Sequence, residues 1–150
     1  MQDIKLIKDE QNKIFDISID NGDIAHINSF DTSLNASIFL DARASARIFK
    51  PEMRNGWLGN IVSPVRNRQM GSLLWLLSQS RLTQTAVNDA VDYVRKSLLW
   101  MIEDKVCKNI SVSGEGVPMY GIRIRVDIIA LSGVLETQYY NLWENTGTDI

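Results

Sequence analysis

The chain has 150 residues, 16 Lys and Arg against 18 Asp and Glu, a net charge of −2 and a hydrophobic content of 45%. That is enough for a single domain over residues 1–150 with its own core. The longest apolar runs, at 73–77 and 98–102, fall far short of the ~20 residues a bilayer-spanning helix needs. The start Met-Gln-Asp-Ile-Lys has no basic and apolar leader regions. The lone Cys107 excludes an internal disulfide, and it reads as a small apolar residue near a strand start. Together these features predict a soluble domain made in a reducing cytoplasm.

The charge is segregated along the chain. Residues 1–42 carry a net −5, residues 43–81 a net +6 and residues 82–150 a net −3. Such a basic middle either steers a charged partner or is met by acids within the fold.

In chain order, Ile4–Ile7 and Ile14–Ile19 read as strands. Phe15, Ile17 and Ile19 alternate with Asp16, Ser18 and Asp20, one apolar face against one wet one. Asn21-Gly22 is a hairpin turn, because both residues tolerate positive φ, and Ile24, Ala25 and Ile27 return beside the first strands. His26 stands in that strand with no second His or Cys near it, which reads as an exposed strand residue. Asp31, Thr32 or Ser33 can cap a helix running to about Ile48, its apolar stripe supplied by Leu34, Ile38 and Ala42, with Phe39 and Ala46 beside it. Lys50-Pro51 stops it.

Residues 51–71 form a long irregular link holding Arg54-Asn55-Gly56-Trp57-Leu58-Gly59-Asn60. A link of this length is a functional loop or one ordered by a neighbour. Trp57 either pins it to the core or presents a docking surface, since Gly, Trp and Arg together suit a buried contact patch. Ser72 can cap a short helix over Leu73–Ser80 that is apolar on nearly all sides. Thr83 or Thr85 caps the longest helix, to about Lys105, with Ala86, Val87, Ala90, Val91, Val94, Leu98, Met101 and Ile102 along its core face. Leu99 and Trp100 depart from that stripe and predict a cover on a second side.

Asn109–Ser113 reads as a short strand and Gly114–Pro118 as a loop. Gly121–Ala130 alternates cleanly, with Ile122, Ile124, Val126 and Ile128 on one face. Ser132-Gly133 turns the chain into a strand over Val134–Trp143, and residues 144–150 read as a loose tail. The fold class is therefore α+β: one long central helix and one or two shorter helices packed on antiparallel N-terminal and C-terminal β-hairpins.

The residues suggest no catalytic, cofactor or metal site, for no phosphate loop, nucleophile elbow or paired Cys/His ligands occur. Adjacent Glu103-Asp104 do not face one substrate. A small lysozyme-like cell-wall hydrolase is the alternative function, and would show as carboxylates facing each other across a cleft. A nucleic-acid binder using Arg43–Arg81 would show steep salt dependence.

The order of motifs resembles a known family. A Phe15–Asp23 hairpin, Asp41-Ala42-Arg43-Ala44, the Arg54–Asn60 turn, Gly71-Ser72-Leu73-Leu74-Trp75-Leu76-Leu77, Arg81-Leu82-Thr83 and a helix closing Trp100–Val106 follow one another. Together they resemble the small baseplate-wedge protein of Mu-like contractile phages and prophages, a family similar in fold to the sheath-initiator wedge protein of T-even phages. The resemblance covers roughly residues 1–142. It implies a non-enzymatic role in the virion tail baseplate, reached from the host cytoplasm during assembly. The implied partners are larger wedge proteins and tail sheath or tube proteins, with no nucleic acid, membrane or small-molecule substrate.

Arg54, Gly56, Trp57, Gly59, Gly71, Ser72 and Trp75 match its signature, while Leu58 and Asn60 stand where relatives often have Trp and Asp. The expected partner-binding residues are Arg54, Gly56, Trp57, Leu58, Gly59, Asn60, Trp75, Tyr139 and Tyr140. The last two lie on the C-terminal hairpin, whose open edge would face the sheath.

Overall fold

In the computed structural model of the chain, residues 3–9, 14–27, 29–47, 54–62, 68–78, 80–118 and 121–142 are described. The expected tail at 144–150, the Lys50-Pro51 stop and the part of the link around Pro64 and Arg66 lie outside them.

Strands β1 (Asp3–Ile4), β2 (Leu6–Asp9), β3 (Ile14–Ile17), β4 (Ile19–Asp20), β5 (Asp23–Ile24) and β6 (His26–Ile27) pair antiparallel as β1–β6, β2–β3 and β4–β5. They form three short arms that meet at a triangle of backbone hydrogen bonds. The Lys5 N–H donates to Ala25 O at 2.8 Å, Ser18 N–H to Lys5 O at 2.9 Å and Ala25 N–H to Ser18 O at 2.8 Å. Each residue at which two ribbons diverge thus keeps its peptide groups paired. The Asn21-Gly22 turn has φ of 51° and 83°, as a type I′ hairpin requires.

The period-two pattern is present, but its apolar face is not dry as expected. By alternation Ile17, Ile19 and Ile24 share a face, and they are 47%, 71% and 42% exposed, whereas Ser18 on the other side is 9% exposed. The arms are too short to carry a layer of their own. They join the rest of the chain through β1, where the Thr32 hydroxyl donates to Ile4 O.

Helix α1 (Asp31–Phe39) begins as expected but ends well before Ile48. The Ser29 hydroxyl accepts the Asp31 N–H at 3.1 Å, and the N-cap position falls on Phe30, so the expected caps Asp31, Thr32 and Ser33 lie within the first turn. Leu40 turns extended (φ −72°, ψ 146°). The strip Asp41–Ala44 that follows takes its hydrogen bonds from two other segments, which outweighs its helix propensity. The expected helix over Leu73–Ser80 is a tight 3₁₀ turn at Leu74–Leu77, and the Ser72 hydroxyl accepts the Leu74 N–H as foreseen.

Helix α2 (Gln84–Glu103) is the central element, with the Thr83 hydroxyl accepting the Ala86 N–H at 3.1 Å. Ala90, Val94, Leu98 and Met101 are fully buried, as the stripe predicts. Trp100 is covered on a second side, its indole N–H donating to Ser37 Oγ at 3.0 Å, but Leu99 is 45% exposed, against expectation. One face of the helix turns to α1 and another to the C-terminal sheet.

That sheet has the order β7 (Cys107–Val117), β8 (Gly121–Ala130), β9 (Leu135–Leu142), all antiparallel. Ile122, Ile124, Val126 and Ile128 all face the core. Gly114–Val117, expected as a loop, continues β7 instead. The glycines there allow close packing: a Cβ on Gly114 would sit 2.7 Å from Val91 Cγ2 and 2.9 Å from Ile124 Cδ1. Cys107 begins β7 in the core, where burial pushes its thiol pKa up. The α+β class stands, with α2 packed on β7 and α1 beside it, reaching β9 through Phe39 and Asp31.

Candidate partner-binding surfaces

The loop at 54–60 is clamped onto the Asp41–Ala44 strip from one direction while Gly71-Ser72 holds that strip from the other. Ala44 N–H donates to Arg54 O at 2.9 Å, Trp57 N–H to Asp41 O at 2.8 Å, and Ala42 N–H to Ser72 O at 2.9 Å. Side chains finish the clamp. Arg54 Nε donates to Ala44 O at 2.7 Å, Asn55 Nδ2 to Asp41 Oδ2 at 3.0 Å, and Arg43 Nη1 to Asn55 O at 3.2 Å. Asn60 bridges the two halves of the link, taking the Met70 N–H at 2.8 Å and donating to Met70 O at 3.0 Å. The Trp75 indole N–H reaches Ala42 O at 2.9 Å.

Three glycines make this geometry possible. Gly56 has φ 123° against the Arg43 side chain. Gly71 has φ 109°, and any Cβ there would lie 2.5 Å from Leu40 O. Gly59 lies under the Trp57 ring, where a Cβ would come within 2.2 Å of the indole. Of the expected site residues, then, Arg54, Gly56, Gly59, Asn60 and Trp75 build the loop itself.

The apolar side chains of the loop turn outward. Trp57 is 42% exposed and Leu58 78%, continued by Ile61 at 79% and Val62 at 82%. Beside this crest lies an open groove of about 550 Å³ lined by Trp57, Val62, Met70 and Trp100. Its wall carries Arg68, paired bidentately with Asp104 at 2.6 and 2.9 Å. The guanidinium holds the Asp104 carboxyl below the usual carboxylate range. Trp57 therefore both shelves on the loop's own backbone and contributes to an exposed apolar crest. Ile61 and Val62 were not expected here; the apolar pair directly after Asn60 is the signal that marks them.

The second surface is the edge of β9, beside which only β8 lies among the described residues. Ala130 N–H donates to Val134 O at 2.9 Å across a turn closed by Gly133 (φ 89°). From that bonded pair the antiparallel alternation directs the backbone groups of Leu135, Thr137, Tyr139 and Asn141 away from β8. Tyr139 is 61% exposed. Tyr140 points the other way: its ring packs edge-on against Phe39 at 5.7 Å, and burial pushes its phenol pKa up. The edge thus presents Tyr139, while Tyr140 anchors the strand to the body.

Comparison with known proteins assigns these elements a lineage. Residues 30–133 match the sequence profile of the family described as "Phage protein GP46". A relative named "Mu-like prophage FluMu protein gp46", from Haemophilus influenzae, is 26% identical over 110 residues, covering 73% of this chain and 78% of that protein. "Baseplate protein gp46" of Escherichia phage Mu is 34% identical over 89 residues, covering 57% of this chain and 59% of that protein. The profile covers the clamp, the crest and α2. The three N-terminal arms and β9 lie outside it.

Proposed function

The chain belongs to the phage protein GP46 family, and from that premise we propose that it is a structural component of the tail baseplate of a Mu-like phage or prophage. Its task there is to bind larger wedge proteins through the Trp57 crest and to help start the sheath at the open edge of β9. The observation that carries this reading is the division of labour in the 54–62 loop. Polar groups and glycines are spent on fastening the loop to its own chain, while Trp57, Leu58, Ile61 and Val62 are held out on a rigid frame. Pre-ordered aromatic and aliphatic side chains are what a protein interface uses as anchors, because little entropy remains to be lost on docking. An open strand edge supports the second contact, since a partner strand can add to it by main-chain hydrogen bonds.

The test mixes the purified chain with tail proteins of the same genome and reads complexes by size-exclusion chromatography with light scattering, wild type beside Trp57→Ala. Wild type is expected to join a complex that the folded variant does not. If the two behave alike in forming complexes, the crest is not the contact. If neither associates with any tail protein, the baseplate role fails.

A further inference from the structure

Helix α2 ends on two acids, Glu103 and its cap Asp104, with no basic residue in its last turn. That is the wrong sign for the negative end of a helix dipole. Among the described residues Lys105, beyond the cap, pairs with neither acid. Their cation comes from far back in the chain. Arg68 donates from Nη1 and Nη2 to the two Asp104 carboxylate oxygens at 2.6 and 2.9 Å, and stands 3.6 Å from Glu103. Among the described residues this is the one hydrogen-bonded or ionic link between residues 54–70 and the end of α2. The groove lies between the parts it joins, with Trp57, Asn60, Val62 and Met70 on one side and Trp100 and Asp104 on the other. Two residues on from Arg68, Met70 holds the Asn60 side chain through both its peptide groups, and Asn60 N–H closes the turn onto Trp57 O at 3.1 Å.

We propose that Arg68 is a positioning residue for partner binding: its clasp on the acids at the end of α2 sets the distance between the Trp57 crest and Trp100, and so the width of the groove a partner enters. The Asp41–Ala44 strip holds the loop by main-chain bonds, and through Gln69 it also holds the stretch before Gly71, but none of those bonds reaches α2. A bidentate guanidinium–carboxylate pair suits this task, because two parallel bonds fix an angle as well as a distance. The side chains of Arg68, Asp104 and Glu103 are 31%, 41% and 65% exposed. Such an exposed pair adds little to global stability and weakens with salt. Acids kept at the wrong end of a helix are therefore better explained by the geometry they hold than by the stability they add. The inference rests on the preceding section in taking the crest and groove as an interface.

Two measurements on the full chain test it, with Arg68→Ala and the charge swap Arg68→Glu/Asp104→Arg beside wild type. In the isolated chain, the bonded amides of Asn60, Ile61 and Met70 should exchange hydrogen about three- to five-fold faster in Arg68→Ala at low salt. The amides of α2 from Val87 to Leu98 should be unchanged, high salt should move wild type toward the variant, and the swap should restore protection. Affinity for the tail proteins of the same genome should fall by the same factor in Arg68→Ala and recover in the swap. Crest amides that exchange alike in wild type and Arg68→Ala overturn the inference. So does a loss of protection that extends through α2, which would make Arg68 a general stabiliser. Binding that stays lost in the swap while protection returns also overturns it, because Arg68 would then touch the partner itself. Unchanged exchange with complexes still lost in Trp57→Ala removes the clasp alone, whereas a wild type that binds no tail protein removes the baseplate reading and the inference with it.

Discussion

Gly71 shows how the clamp works at the level of single residues. Its φ of 109° lets Ser72 bond the strip on which the loop rests, and Leu40 O occupies the space a side chain would need. Gly71→Ala must therefore both strain the backbone and move a carbonyl. It should cost on the order of 2 kcal/mol or more and lower the melting temperature by several degrees in calorimetry. Leu58→Ala, at a position 78% exposed, should change stability by less than ~0.5 kcal/mol. Equal stability losses in the two variants would refute the separation between a structural frame and an outward crest. The spacing of Gly, Trp and Arg was visible in the sequence as a special turn. The carbonyls those residues serve were not, because Asp41, Ala42 and Ala44 reach them only after the chain folds back from residues 54 and 72. Tyr139 and Tyr140 were indistinguishable in sequence, and only strand register separates the exposed ring from the one on Phe39.

At the level of elements, α2 and β8 were legible because their periods of 3.6 and 2 coincide with burial over their whole lengths. The errors fell where a local signal met a long-range demand. Glycines that read as a loop at 114–116 serve a strand pressed against Val91 and Val87, and a helical pattern beyond Phe39 yields to backbone bonds with Ser72 and Arg54. In the N-terminal arms the alternation was real, yet pattern alone does not say whether the apolar face is covered. The same logic gives a test at the β9 edge. The Tyr139 N–H is directed away from β8, so Tyr139→Pro removes no ladder bond. The variant should stay folded by circular dichroism, with a stability cost on the order of 1 kcal/mol from the altered φ, yet fail to support sheath growth in reconstituted tails. Normal sheath growth on the folded variant would exclude β9 as the strand-adding edge.

For the whole molecule, α1, α2 and the sheet pack around one core, and among the described residues the arms, the crest and the β9 edge stand uncovered. Among the described residues, the basic middle and the acidic ends read from the sequence meet at one place. Arg68 meets Asp104 and Glu103, whereas Arg43 and Arg54 hold the backbone carbonyls of Asn55 and Ala44. On the proposed reading, neighbours in the tail cover the crest and the β9 edge. Hydrogen exchange read by mass spectrometry, comparing the isolated chain with the same chain in assembled tails, tests this most directly. New protection is expected over residues 57–62 and 135–142 on assembly, with α2 unchanged. Amides at the crest and the β9 edge that exchange as fast in the tail as in the isolated chain would contradict the account.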